Sequence, residues 1–307
     1  MSKIIAVFGA TGNQGESVIN KILGDIKLSE MFSIRAITTD PSKPKCLKLK
    51  DKGVEVIKAD FNDETSIKKA VRGVHTVFAV TVSIYATCGK GIELLQGKRI
   101  VDAAVNEGVQ DFIWSTEINA NALTKGKLTV PLFDAKAEIE AYIRGQQIRS
   151  FFFAPGSFMQ NFLTQFRPQK EDANHWVIYG LCEPDTLIPL LDIQEDTGKF
   201  VAAFLEEPEK YEGNFLACAS GLYTFDEIAR LESACTGRNV KYVRISEEEF
   251  SRNVPPSLVV PLSSMFTFIN EFGYYGPETK DIVEWSIRQA RGELTTIEDF
   301  FAKNQPL

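Results

Sequence analysis

The apolar positions of this chain change their spacing from one stretch to the next, and the spacing predicts the elements. Ile4 to Phe8 is a continuous apolar run of strand length. Behind it Val18, Ile19, Ile22 and Leu23 recur on one helical face. Between them stands Gly9-Ala10-Thr11-Gly12-Asn13-Gln14-Gly15, so the order reads strand, tight loop, helix. Further strands are expected at Phe32 to Thr38, Val54 to Lys58, Thr76 to Thr81, Asp111 to Ser115 and Ile148 to Ala154. Helical spacing lies between them. Ile67, Ala70 and Val71 mark residues 64–72, and from Leu94 the residues Gly97, Val101, Ala104 and Gly108 recur at helical steps. Asp134 opens another helix with Ala135, Ile139, Tyr142 and Ile143 inward, and Pro155-Gly156 stops the strand that follows.

Such alternation predicts an α/β fold, a doubly wound parallel sheet of the Rossmann type in the order 3-2-1-4-5-6. Ligands then bind at the carboxyl ends of strands 1 and 4, where the order reverses. After residue 156 the rhythm breaks at Pro168, Pro184, Pro189, Pro208, Pro255, Pro256 and Pro261. Short strands are expected at 187–192, 214–218 and 240–244, and helices at 196–205, 224–236 and 257–272. The expected division is a dinucleotide-binding domain over 1–156 and a smaller, irregular α+β lobe over 157–307. Some segments of the lobe are expected to return to the first domain.

The glycine loop carries the first chemistry. A strand that turns directly into a helix aims backbone N–H groups and the positive end of a helix dipole at one corner, which suits a pyrophosphate. Gly9 lets the chain turn, Gly12 lets phosphate oxygens approach the backbone, and Gly15 lets the helix pack closely. The spacing GxxGxxG is less common than GxGxxG, so its context between strand and helix gives it its weight.

Composition narrows the classes. The net charge of -7 and pI near 5.2 argue against direct binding to nucleic acid or acidic membranes. Cysteines 46, 88, 182, 218 and 235 show no metal spacing, and their odd number points to reduced thiols in the cytosol, with the nucleus also open. Only His75 and His175 are present, so neither a metal site nor a histidine-based hydrolase is expected. No apolar run suggests a signal peptide or a membrane span.

The strand tips supply the remaining candidates. An acid at the tip of strand 2 favours NAD and a basic residue favours NADP. Here Thr39 is neutral, Asp40 lies just beyond, and Lys43 and Lys45 follow in a proline-flanked loop. Asp60 and Phe61 follow strand 3 beside the expected adenine, and Val80 and Thr81 follow strand 4 against the cofactor. Ser115-Thr116 closes strand 5, Lys136 lies in the next helix, and Tyr85 offers a loop hydroxyl.

GATGNQG at 9–15, VEVIKADFND at 54–63, LFDAKAEIEAYI at 132–143, APGSFMQNFL at 154–163 and PEKYEGN at 208–214 together resemble the NmrA-like family of atypical short-chain dehydrogenases. The resemblance spans nearly the whole chain. It implies a Rossmann domain that binds NADP, with NAD also admitted, and a small C-terminal lobe. It implies that Gly9 to Gln14 hold the pyrophosphate, that Thr39 faces the adenosine 2′ position, and that Lys136 reaches the nicotinamide ribose. Pro155, Phe158, Met159 and Asn161 would border the nicotinamide. In short-chain dehydrogenases a Ser or Thr at the position of Ser115 or Thr116 polarises the substrate carbonyl, and a Tyr four residues before the Lys donates a proton. Leu132 stands there in this chain and cannot donate. Thr39 also departs from the Arg of NADPH-sensing members.

Two functions follow. One is a dinucleotide-responsive sensor or transcriptional co-regulator with a protein partner such as a transcription factor. The other is an NAD(P)H-dependent oxidoreductase acting on a small apolar or quinone-like substrate. Leu132 in place of the acid favours the first. Ser115, Thr116, Lys136 and the aromatic residues Phe151, Phe152, Phe158, Phe162 and Trp176 favour the second.

Overall fold

Ile5, Ala6, Val7 and Phe8 have no solvent-exposed surface, because their strand has strands on both edges and helices over both faces. This and all that follows is read from a computed structural model that describes residues 2–83 and 89–304. The first half contains β1 (Lys3–Phe8), α1 (Asn13–Gly24), α2 (Ile26–Met31), β2 (Phe32–Thr38), α3 (Pro44–Asp51), β3 (Glu55–Lys58), α4 (Glu64–Val71) and β4 (Thr76–Ala79). It continues with α5 (Gly89–Asn106), β5 (Asp111–Ser115), α6 (Ala120–Leu123), α7 (Pro131–Arg144) and β6 (Arg149–Pro155). The second half contains β7 (Ser157–Phe158), a 3₁₀ turn at Met159–Leu163, β8 (Gln169–Lys170), β9 (His175–Gly180), β10 (Leu187–Leu191), α8 (Thr197–Glu206) and α9 (Pro208–Tyr211). Then come β11 (Phe215–Cys218), β12 (Gly221–Thr224), α10 (Phe225–Thr236), β13 (Asn239–Arg244), α11 (Glu247–Asn253), α12 (Pro256–Phe272), α13 (Thr279–Ile287) and α14 (Ile297–Lys303).

The main sheet runs β11-β6-β5-β4-β1-β2-β3 and is parallel throughout, the expected order with one strand added. Its reversal lies between β1 and β4, where Val7 pairs with Ala36 on one side and Phe78 on the other. One face is covered by an apolar layer that includes Val18, Ile22, Phe200 and Phe204, the other by one that includes Ile67, Val101, Ile139 and Ile143. Two glycines set helix spacing. A Cβ at Gly97 would lie 2.5 Å from Ile139 Cδ1, and one at Gly198 would lie 2.4 Å from Ser17 O. Thus α5 meets α7, and α8 meets α1, at distances only glycine permits.

The lobe has its own core around Phe133, Phe162, Phe166, Phe225 and Phe266, and two small sheets, β12-β10-β7 and β13-β9-β8.

Several expectations need correction. The proline-flanked stretch at Lys43 is no plain loop, because Pro44 occupies the first turn of α3 and Cys46 and Leu49 anchor its inner face. The strand expected at 214–218 spans 215–218 and is one of the segments that return to the main sheet, where Phe215 to Cys218 lie in register with Phe152 to Pro155. The strand from Thr76 ends at Ala79, which leaves Val80 and Thr81 as a tip. The expectations for Tyr85 and Cys88 fall outside the described residues.

Candidate functional site

The turn after β1 is built by its backbone. Gly9 sits at φ +69, and its carbonyl accepts from Gly12 N at 2.9 Å. Gly12 precedes α1 in extended conformation, with no side chain capping the first N–H groups. A Cβ at Gly15 would lie 2.3 Å from Gly9 O, so the helix rests directly on the turn. The loop's Gln14 Oε1 is buried without a partner among the described residues. Ala10 is buried, whereas Thr11 and Asn13 reach solvent.

At the β2 tip Thr39 is exposed, and Asp40 is committed locally, accepting from Ser42 N at 2.9 Å and Ser42 Oγ at 2.5 Å. Lys43 is exposed, while Lys45 Nζ reaches back to Glu16 at 2.6 Å and Thr11 O at 3.3 Å. Asp60 accepts from Asn62 N at 2.8 Å, and Phe61 packs 5.9 Å from Phe8, centroid to centroid. These residues therefore gather along one edge with β1.

At the β4 tip the sequence reading missed a partner. Lys136 projects from α7, whose start is fixed by buried Asp134 accepting from Asn121 N at 3.0 Å and Val130 N at 2.8 Å. Its ammonium donates to Thr81 O at 3.1 Å and forms an ion pair with Glu93 of α5. Thr81 Oγ1 also donates to Glu93 at 2.7 Å. Glu93 was legible in principle, since it lies one turn before Gly97 on the inward stripe of α5. A charge there is rare unless paired.

At the β5 tip two of the predicted hydroxyls part company. Thr116 Oγ1 turns to Glu140 of α7 at 2.8 Å. Ser115 Oγ is buried and unpartnered among the described residues, and so is Oε2 of the next acid, Glu117. Glu117 is 8% exposed. Burial pushes its carboxyl well above the carboxylate range, against a weaker downward pull from Lys136.

Glu117 lines a cavity of about 210 Å³ together with Leu132, Phe158, Asn161, Phe166 and Tyr274, and with Leu262, Met265 and Phe266 of α12. The predicted Phe158 and Asn161 meet here. Pro155, at the end of β6, and Met159 are buried. Tyr274 is raised above the usual phenol range by burial, then by the Glu117 charge. A larger hollow of about 530 Å³ runs beside α1 and includes Lys21, Lys45 and Lys199. Each of these already has a carboxylate, in Asp25, Glu16 and Asp196, so the hollow presents no unmatched lysine. Among the described residues no cluster of three or more His, Cys, Asp or Glu could hold a metal, and no helix is long and apolar enough to cross a membrane.

Comparison with known proteins gives a consistent answer. A family model described as the NmrA-like family matches residues 1–301. An NmrA-like family domain-containing protein of Dictyostelium discoideum is 33% identical over 312 residues, covering 99% of this chain and 98% of that protein. The NmrA-like family domain-containing oxidoreductase FrzB of Cladobotryum sp is 32% identical over 308 residues, covering 92% and 88%. Among solved structures, the negative transcriptional regulator NmrA in complex with NADP superposes with a TM-score of 0.83 at 21% identity, covering 98% of this chain and 95% of that one.

Proposed function

The chain belongs to the NmrA-like family, and from that premise we propose that it is an NAD(P)H-dependent reductase of a small, apolar, quinone-like acceptor. The observation that carries this reading is the cavity beside Leu132, Phe158 and Asn161, apolar over most of its wall and with one buried carboxyl. Such pockets suit small apolar ligands oriented by a few polar groups. The relative FrzB is named an oxidoreductase.

The residues present fit a dinucleotide. An uncapped helix start, a turn that would not admit a Cβ at Gly15, and the orphaned Gln14 Oε1 make a cradle for its pyrophosphate. When bound, the nicotinamide supplies hydride. Thr39, Lys43 and Lys45 stand at the adenosine end, and this neutral and basic set supports NADP with only a modest preference over NAD. Glu93 and Thr81 hold Lys136 as a fixed ammonium for the nicotinamide ribose. Ser115 Oγ has no partner among the described residues, whereas Thr116 is occupied by Glu140. Leu262, Met265 and Phe266 of α12 give the acceptor an apolar wall.

A second reading, a dinucleotide-responsive regulator with a protein partner, is favoured by Leu132, which leaves the usual proton donor absent. The test is NADPH and NADH oxidation with a panel of quinones, aldehydes and enones, beside calorimetric titration of both dinucleotides into wild type and Gly12→Val. Turnover of at least one quinone, and loss of binding in a folded Gly12→Val, are expected. Tight dinucleotide binding with no turnover across the panel counts for the regulator.

A further inference from the structure

We propose that Glu117 binds the oxygen of an uncharged carbonyl or quinone substrate in this cavity and hands it the proton that accompanies the hydride. The proposal rests on the reductase reading and supplies the donor that Leu132 does not.

Placement is the first argument. Glu117 lies two residues beyond the last residue of β5, at the carboxyl edge where a ligand of this sheet binds. Its side chain forms part of the cavity wall, it is 8% exposed, and Oε2 has no hydrogen-bond partner among the described residues. A buried polar atom left unpaired is costly, so such atoms in folded proteins ask for a ligand or a role.

Elimination is the second. Tyr274 shares the wall, but burial and the neighbouring carboxyl hold its phenol above the ordinary range, which makes it a weak acid. His75 precedes β4, at the opposite end from the site, and bonds Thr76 at 2.9 Å. His175 is exposed and bonds Asp172. Lys136 is engaged with Glu93 and Thr81. Among the described residues Glu117 is thus the acid best placed to give up a proton.

Electrostatics is the third. The groups that bear on Glu117 are Lys136 of α7, which favours the carboxylate, and the phenols of Tyr274 and Tyr275, which stay neutral. Burial outweighs Lys136, so the carboxyl holds its proton to higher pH than a free glutamate does. A neutral acid in an apolar wall donates to a carbonyl oxygen and gives no favourable contact to an anionic substrate. The class selected is therefore uncharged oxygen-bearing acceptors.

The step balances. A simple carbonyl's carbon accepts a hydride, with its electron pair, from the reduced nicotinamide. In a quinone the hydride adds to the conjugated ring, the pair passes to the oxygen facing Glu117, and tautomerisation of the adduct yields the hydroquinone. The C=O π pair moves to oxygen, and that oxygen takes the proton from Glu117. The substrate ends as hydroxyl compound, the dinucleotide as its oxidised form, and Glu117 as a carboxylate that regains a proton from solvent.

The test pairs spectroscopy with kinetics on wild type and Glu117→Gln, which keeps the shape of the side chain. An infrared difference spectrum at pH 7 should show a protonated-carboxyl stretch in wild type that Glu117→Gln lacks. Its absence overturns the proposal without reference to activity. With NADPH and menadione, kcat of Glu117→Gln should fall about 10²–10⁴-fold with KM less affected. Wild-type kcat should decline as pH rises through the range in which Glu117 ionises, a profile that needs no variant. Equal turnover by wild type and Glu117→Gln, with menadione and the wider panel alike, overturns the role of Glu117 and leaves the reductase reading standing. Wild type inert to every acceptor overturns both.

Discussion

Two of the Lys–Glu pairs beside the crevice live in different worlds. Lys45–Glu16 spans 2.6 Å over the glycine turn, with the side chains 53% and 40% exposed. Lys136–Glu93 lies behind the β4 tip, with the side chains 11% and 2% exposed and Thr81 bonded to both. Water already solvates the first pair, so breaking it costs little. The second pair cannot lose one member without leaving the other charged and dry. Glu117 is a third case, buried like Glu93 but with no cation bonded to it among the described residues, so burial raises its carboxyl well above the carboxylate range. One functional group thus takes three states within one site, set by burial and by whether a lysine reaches it.

The largest effect comes from breaking the buried pair. Glu93→Ala should destabilise the fold by about 3–5 kcal/mol, read by urea denaturation. A loss below about 1 kcal/mol would mean that Lys136 finds solvent as freely as Lys45 does. Next is the carboxyl without a lysine. An unfolded Glu ionises near pH 4.3, about its free value, and folded Glu117 ionises higher. The folded state therefore holds the extra proton between those limits. Its stability advantage is full below the lower limit and is lost as pH climbs toward the higher. Relative to Glu117→Gln, wild type should lose about 1.4 kcal/mol per pH unit across that window. Denaturation of both proteins over a pH series checks this, and a pH-independent difference would place Glu117 in water. The smallest effect belongs to the exposed pair. Lys45→Ala should change stability by about 0–1 kcal/mol and fade further with added salt.

The parts of the site differ in how far the chain announces them. The turn at Gly9 to Gly15 is legible because its partners are its own backbone atoms, a few residues apart. β2 is legible from the alternation of Phe32, Ile34 and Ala36 with Ser33 and Arg35, and β5 from the apolar run Phe112-Ile113-Trp114, ending at Thr38 and Ser115. The cavity is hidden, because Glu117, Leu132, Phe158 and Tyr274 come from separate segments that only the tertiary fold brings together. Glu93 escaped for a different reason. Charges on helices usually face water, and only its step of four from Gly97 marks it as inward. β7 and β8 have two residues each, too few for any period to show. In α3 the lysines mask two anchors, Cys46 and Leu49, that the Pro44 start would have supported.

The last strand of the main sheet has a consequence for how the chain is made. During synthesis β6 leaves the ribosome about sixty residues before its partner β11, as the numbering 149–155 and 215–218 shows. Until then the run Ser150-Phe151-Phe152-Phe153-Ala154 presents a bare edge, the kind that recruits other strands. The intervening stretch carries the Gly156–Pro189 contact and the α8–α1 contact at Gly198. A fragment ending at residue 156 would keep the dinucleotide turn and leave that edge of β6 without its partner strand.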